Sequence, residues 1–247
     1  MANQATSQNA PRVFPVTEWS VILDAGAAPS PQSTAALERL CQAYWHPLYA
    51  FLRRTGHSPH DAGELTQEFF ARLLAHNWVA AADRDKGRFR SFLLMAMKRF
   101  LGRERDKANA LKRGGGIRPA PLQLDTSETR YGVDPADTST PEQLFEKQWA
   151  LTLLETVLDR LRQEFVRAGK AELFQTLEPC LIGSRDKQPY AELAAQMGMS
   201  EAAVKMAVYR LRDRYRLILK EEVGRTVALP SDVDEELRHL FRVLSRG

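Results

Sequence analysis

The chain of 247 residues is 44% hydrophobic and carries a formal net charge of +4 at pH 7. That length is enough for one large domain or two modest ones. Its two cysteines, Cys41 and Cys180, are too few and too far apart for a disulfide framework or a zinc site. No apolar run approaches the ~18 residues that a membrane span needs, and the first residues lack a signal-peptide pattern. The expected location is therefore the cytoplasm, without contact to a membrane.

An amino-terminal extension, residues 1–33, is expected to be partly disordered, because its first half is polar, small and interrupted by prolines. A strongly amphipathic helix then begins at Ser33 or Thr34. Pro47 falls inside this helix. It predicts either a kink or a fresh helix start near Tyr49, because proline lacks the backbone N–H that the helical ladder uses.

A second helix is predicted over Asp61–His76, with Ser58 as its candidate N-cap and Pro59 in its first turn. Apolar residues recur at helical spacing, and polar residues occupy the opposite face. The inward face comprises Ala62, Leu65, Phe69, Phe70 and Leu73. The outward face comprises Glu64, Gln67, Glu68 and Ala71. The residues that follow, Trp78 among them, are predicted to form a loop.

The stretch Gly87–Arg113 predicts a helix that combines an apolar stripe with dense positive charge. From Asp83 to Gly116 there are eleven Lys or Arg and four Asp or Glu, a local charge of +7. Such density beside aromatic residues is typical of a surface that binds a polyanion, and nucleic acid is the favoured ligand. A solvated helix face is the alternative. The predicted inward stripe is Leu93, Met97, Phe100, Leu101, Ala108 and Leu111.

Three consecutive glycines end this first helical domain, which is predicted to span residues 34–116. Residues 117–141 contain four prolines and more acids than bases, which indicates a flexible acidic linker. A second domain over residues 142–225 opens with a helix from Pro141 to about Ala168. Its predicted inward residues are Leu144, Trp149, Leu151, Leu154, Val157, Leu158 and Leu161. A shorter helix then carries Leu173, Phe174, Leu177 and Leu181.

The segment Pro189–Lys220 predicts two helices around a tight turn. Gly198 makes the turn, and Ser200 caps the second helix with its hydroxyl. This order is the helix-turn-helix pattern, in which the second helix lies in the major groove of DNA; an ordinary helical hairpin is the alternative. The inward residues of the second helix are Val204, Ala207, Val208 and Leu211. Its candidate DNA-facing residues are Ser200, Ala202, Lys205, Met206, Tyr209, Arg210 and Arg212.

Residues 226–247 predict a tail helix that begins near Pro230. Its apolar face must be covered, either by the rest of its own domain or by a partner protein. That face comprises Val233, Leu237, Leu240, Phe241 and Leu244.

Together these features resemble the bacterial RNA polymerase sigma factors of the extracytoplasmic-function group. The string AYWHPLYAFLRRTGHSPHDAGELTQEFFARLL resembles the first characteristic block of that family, whose Asp-Ala-x-x-Leu-x-Gln-Glu-x-Phe core docks on the clamp helices of the polymerase. The strings TEWSVILDAG and GRFRSFLLMAMKRFL are similar to a planctomycete-type subgroup. The resemblance covers residues 37–113 and 141–220, about two thirds of the chain.

The resemblance implies an all-α protein of two helical domains joined by a flexible linker, the second ending in a helix-turn-helix. It implies core RNA polymerase and promoter DNA, both duplex and melted non-template strand, as partners, and it leaves open whether an anti-sigma protein holds the factor inactive. It implies no cofactor, no metal and no catalytic residue. The implied polymerase-binding residues are Asp61, Glu64, Leu65, Gln67, Glu68 and Phe70. The implied minus-ten DNA residues are Trp78, Arg84, Arg88, Phe89, Arg90, Lys98, Arg99 and Arg103.

Phe92 can serve either as a stacking platform for an unpaired base or as a core residue, and the pattern favours neither. The chain also departs from the family pattern. Gly63 stands where many members carry an acid, and Ala203 and Ala207 stand where many carry Thr and Arg. These departures alter the expected contacts to the clamp and to the minus-thirty-five element.

Other function classes fit less of the chain. An enzyme lacks a catalytic constellation: His57 and His60 have no further ligand at suitable spacing, and the triple glycine is not followed by a phosphate-loop lysine. A structural interaction protein does not require the basic charge pattern. A stand-alone helix-turn-helix regulator explains Pro189–Lys220 and leaves the first domain without a role.

Overall fold

The computed structural model of the protein describes residues 30–82, 87–113, 139–181, 189–227 and 229–245. Within these ranges all regular structure is helical and no strand occurs, which confirms the expected all-α class. No helix in the same ranges is both long enough and apolar enough to cross a membrane. Most of the amino-terminal extension, Arg84 and residues 117–138 of the predicted linker lie outside the described residues.

The described ranges contain eight α-helices. They are α1 (Pro31–Arg54), α2 (Pro59–Ala75), α3 (Phe89–Arg113), α4 (Pro141–Arg167), α5 (Ala171–Leu177), α6 (Tyr190–Met197), α7 (Glu201–Thr226) and α8 (Val233–Leu244). Short 3₁₀ turns lie at Trp78–Ala81, Glu178–Cys180 and Pro230–Asp232. Trp78 is therefore part of a 3₁₀ turn, where the sequence predicted an irregular loop.

The described residues form two compact units. The first unit comprises residues up to 153 and from 222 onward, and so contains α1, α2, α3, the first half of α4 and α8. The second unit comprises residues 154–221, with the second half of α4, α5, α6 and most of α7. The predicted domains over 142–225 and 226–247 stay a prediction. The tail helix groups with α1 to α3 in the first unit.

The core of the first unit is aromatic and is built by α1, α2 and α3. Tyr44, Phe69 and Phe100 are at most 2% exposed. The ring centroids of Phe69 and Phe100 lie 5.7 Å apart in an edge-to-face arrangement, which favours their ring quadrupoles. On α3 the predicted inward stripe is buried as far as Leu101, and no buried residue follows in the described part of that helix. Ala108, predicted to face inward, is exposed.

Pro47 does not interrupt α1. The helix runs from Pro31 to Arg54 through this proline, so the predicted fresh start near Tyr49 is wrong. A proline inside a helix costs about 3 kcal/mol. Tyr44 and Leu48 on either side are buried, and their tertiary packing outweighs that local cost.

The start of α2 confirms Ser58 as the N-cap. The Ser58 hydroxyl accepts a hydrogen bond of 3.1 Å from the backbone N–H of Asp61 and donates one of 2.8 Å to the Asp61 carboxylate. Pro59 occupies the first helical position, where its missing N–H is not needed. This cap fixes where α2 begins and therefore which of its residues face the solvent.

The core of the second unit follows the predicted spacing closely. Val157 and Leu161 of α4, Phe174 of α5, and Val204 and Val208 of α7 are all buried. An ion pair supports the same packing: Arg214 donates to both oxygens of the Glu164 carboxylate, at 2.7 and 2.6 Å. On the first half of α4, however, Leu151 is 37% exposed although it was predicted to face inward, and Phe145 and Leu153 are buried instead.

A three-residue turn joins α6 to α7. Gly198 has a φ of +62°, a left-handed conformation that favours glycine. The Ser200 hydroxyl accepts a hydrogen bond of 3.2 Å from the backbone N–H of Ala203, as the predicted N-cap requires. The cap and the turn together fix which side chains α7 presents to solvent.

The tail helix α8 is oriented differently from the prediction. Leu240 is fully buried as expected, but Phe241 is 58% exposed and Glu236 is fully buried in its place. The prediction for Phe241 is therefore wrong. The helix turns a carboxylate inward because that carboxylate meets Arg90 of α3 and Arg88, the residue before α3.

Candidate nucleic-acid interface

 An aromatic cleft edged by arginines lies between the 3₁₀ turn Trp78–Ala81 and α3. The cleft has a volume of about 190 Å³. Its lining includes Trp78, Phe92, Arg99, Phe100 and Arg103. The guanidinium carbon of Arg103 lies 6.0 Å from the centre of the Trp78 ring, at the outer limit of a cation–π contact.

The helical repeat of α3 brings these side chains together. Phe92, Arg99 and Arg103 are separated by seven and four residues, so they lie on one face of the helix. Trp78 is held opposite them by ring contacts to His76, at 5.8 Å, and to Phe69, at 6.5 Å. Arg99 and Arg103 are exposed, whereas Trp78 and Phe92 are half-buried. The result is a pair of aromatic surfaces with cations at the rim.

The start of α3 has a different environment. Phe89 is 3% exposed and packs edge-to-face on Tyr44 at 5.6 Å, so it is a core residue. Arg90 is 2% exposed, donates a hydrogen bond of 2.8 Å to Glu146, and lies 4.0 Å over the ring of Trp149. Neither side chain reaches the solvent. The structure therefore divides the predicted minus-ten residues into a buried group and an exposed group.

Arg90 belongs to a cluster of charged residues, which we call the Glu236 cluster. Glu236 of α8 is fully buried and pairs with Arg90 and with Arg88, whose Nη2 lies 2.6 Å from Glu236 Oε2. That Arg88 contact is an ion pair without the alignment of a hydrogen bond. The ring of His239 lies 3.1 Å from Glu146. The cluster consists of Arg88, Arg90, Glu146, Glu236 and His239.

Lys98 is intermediate between the two groups. It is 49% exposed, and its Nζ lies 2.7 Å from the Glu142 carboxylate at the start of α4. The hydrogen bond from Lys98 lowers the pKa of Glu142 below its usual value. Lys98 is thus accessible to solvent and already paired.

The candidate face of α7 is exposed. Met206 and Tyr209 are 51% and 63% exposed, and Ala202 and Arg210 are exposed as well. Lys205 is exposed and its Nζ lies 2.7 Å from Glu201, one helical turn earlier. The hydrogen bond from Glu201 raises the pKa of Lys205.

Two of the predicted residues in this segment have structural contacts. Arg212 is half-buried and donates hydrogen bonds of 3.2 and 2.7 Å to the carbonyl of Cys180. The Ser200 hydroxyl caps α7. Both residues therefore hold the fold of the second unit, and the exposed face is formed by the other five.

The predicted polymerase-binding residues of α2 are also divided. Glu64, Gln67 and Glu68 are exposed, and Asp61 is exposed while taking part in the cap of Ser58. Leu65 is half-buried. Phe70 is 5% exposed and stacks on Trp45 with ring centroids 6.1 Å apart, so this residue supports α2 from inside.

The described residues offer no group of three or more His, Cys, Asp or Glu that could hold a metal ion. Burial raises the pKa of the Cys41 thiol to about 11, so this thiol is protonated at neutral pH. The thiolate is the nucleophilic and metal-binding form, and Cys41 does not supply it under these conditions.

The chain matches no protein-family model, no curated protein and no solved structure. Glu146 and Glu236 were missed by the sequence reasoning, although they determine which arginines of α3 are accessible. Their separations from Arg90 are 56 and 146 residues, and no local pattern links residues so far apart.

Proposed function

We propose that this protein is an RNA polymerase sigma factor, which binds core polymerase and contacts the minus-ten and minus-thirty-five elements of promoters. The observation that carries the proposal is the arginine-edged cleft at Trp78 in the first unit. A regulator that binds duplex DNA by itself needs a helix-turn-helix and has no use for such a cleft.

The cleft has the chemistry that unpaired DNA requires. Unpaired bases stack on aromatic rings, and Trp78 and Phe92 supply two such surfaces. The exposed guanidinium groups of Arg99 and Arg103 are placed to pair with backbone phosphates. This combination supports a role in holding the melted non-template strand.

The face of α7 has the chemistry of duplex recognition. Lys205 offers hydrogen-bond donors that suit guanine in the major groove, and Arg210 suits a backbone phosphate. Met206 offers an apolar surface that suits a thymine methyl group. This face supports a role at the minus-thirty-five element.

The outward face of α2 supports the proposed contact with core polymerase. Glu64, Gln67 and Glu68 form an exposed acidic and polar strip, and we assign it to the polymerase. In this proposal the protein performs no chemistry itself. It supplies two DNA-binding surfaces, and the polymerase makes the RNA.

The test is run-off transcription with purified core polymerase on promoters selected from genomic DNA. We expect initiation at defined sites only when the protein is present. Arg103→Ala should reduce open-complex formation, and Lys205→Ala should weaken promoter binding, while both variants still bind core polymerase. If the protein instead shifts duplex DNA alone and never directs initiation, a stand-alone regulator is the correct function.

A further inference from the structure

The Glu236 cluster has no role in the proposed function as stated so far. In it, the tail helix α8 lies against the start of α3, and the carboxylate of Glu236 contacts both Arg88 and Arg90. Guanidinium groups pair with carboxylates and with phosphates through the same geometry. A carboxylate of the protein therefore occupies a position that suits a DNA phosphate.

We propose that α8 is an intramolecular cover for the DNA-binding surface of α3, and that docking of α8 competes with single-stranded DNA for Arg88 and Arg90. The proposal rests on the proposed function, since it requires that α3 binds DNA. When α8 leaves, Arg90 keeps its hydrogen bond to Glu146 and its contact with Trp149, so its side chain stays oriented.

The charge balance of the cluster links opening to DNA binding. Removing Glu236 without a replacement takes away the carboxylate that contacts Arg88 and leaves Glu146 to compensate the buried Arg90, which is unfavourable. A phosphate can supply that compensation. The cover is therefore stable in free protein and is displaced when nucleic acid arrives.

The apolar contacts of α8 are limited, which suits a helix that can detach. Of the five residues predicted to form its apolar face, Leu240 is the one that is fully buried. Phe241 is 58% exposed. Burial of apolar area is the main source of the free energy of helix docking. Because the apolar contacts of α8 are limited, the contacts of Glu236 contribute a larger share of the free energy that docks this helix.

Binding of a fluorescein-labelled oligothymidylate to the full chain tests the cover. Glu236→Gln should bind more tightly than wild type, because its α8 competes less strongly with the DNA for Arg88 and Arg90. Glu235→Gln is the matched control, because it removes the same charge from an exposed neighbour. Adding Arg88→Ala to Glu236→Gln should reverse part of the gain in affinity for the oligothymidylate.

Equal binding by Glu236→Gln and Glu235→Gln would overturn the cover and leave the proposed function intact. Arg103→Ala separates the two ideas: if it binds as tightly as wild type, the cleft is not a DNA site and the proposed function fails together with the cover.

Hydrogen–deuterium exchange on the wild-type chain provides a test that needs no variant to fold. Adding the oligothymidylate should speed amide exchange in Val233–Leu244, because α8 is displaced. Unchanged or slower exchange in this helix would overturn the proposal.

Discussion

The start and the middle of α3 carry the same type of residue in opposite environments. Arg90, near the start, is 2% exposed and is held by Glu146 and Glu236. Arg99 and Arg103, two to four turns later, are exposed at the rim of the Trp78 cleft. The difference comes from carboxylates contributed by α4 and α8 at one end of the helix. Positive charge in a sequence therefore does not by itself identify a DNA-binding residue.

The largest expected difference between the two regions is in stability. Arg90→Ala removes one partner from a buried charge cluster and should lower the free energy of unfolding by about 3–5 kcal/mol. Arg99→Ala removes an exposed side chain and should change it by no more than about 0.5 kcal/mol. Urea unfolding followed by circular dichroism measures both. Similar losses of unfolding free energy in the two variants would contradict the predicted difference between the two regions of α3.

A second prediction concerns single-stranded DNA. Trp78→Ala should weaken binding of an oligothymidylate by about 1–3 kcal/mol, because one stacking surface is lost. Tyr209→Ala is the control, since it removes an exposed aromatic residue from the second unit. It should weaken duplex binding and leave binding of the single strand unchanged. Fluorescence anisotropy with both DNA forms measures the two effects.

Local features of the fold could be predicted from the sequence because their causes are local. Ser58 and Ser200 were identified as caps from their positions beside helical patterns, and Gly198 was identified as a turn. The long-range features could not be predicted in this way. The burial of Arg90 depends on Glu236, 146 residues away, and the same contact turns Phe241 outward.

A third prediction compares two arginines by salt dependence. Arg103→Ala should reduce the slope of log affinity against log salt concentration by about 0.7 for single-stranded DNA. Arg88→Ala should reduce the slope as well, because bound DNA displaces α8 and a phosphate takes the place of the Glu236 carboxylate beside Arg88. Titrations at several salt concentrations measure both slopes. An unchanged slope in Arg88→Ala would show that Arg88 does not contact the bound DNA.

The smallest expected effect belongs to Lys98, which is exposed and paired. The hydrogen bond from Lys98 lowers the pKa of Glu142, so this pair stabilises the fold above the ordinary glutamate pKa of about 4.3 and loses its effect as the pH falls through the lowered value. Lys98→Met should therefore cost at most about 1 kcal/mol at pH 7, because exposed ion pairs are weak, and less as the pH falls below the ordinary glutamate pKa. Arg99→Met is the control, and urea unfolding across this pH range is the measurement. A deficit that persists at low pH would show that Lys98 stabilises the protein by packing of its methylene groups.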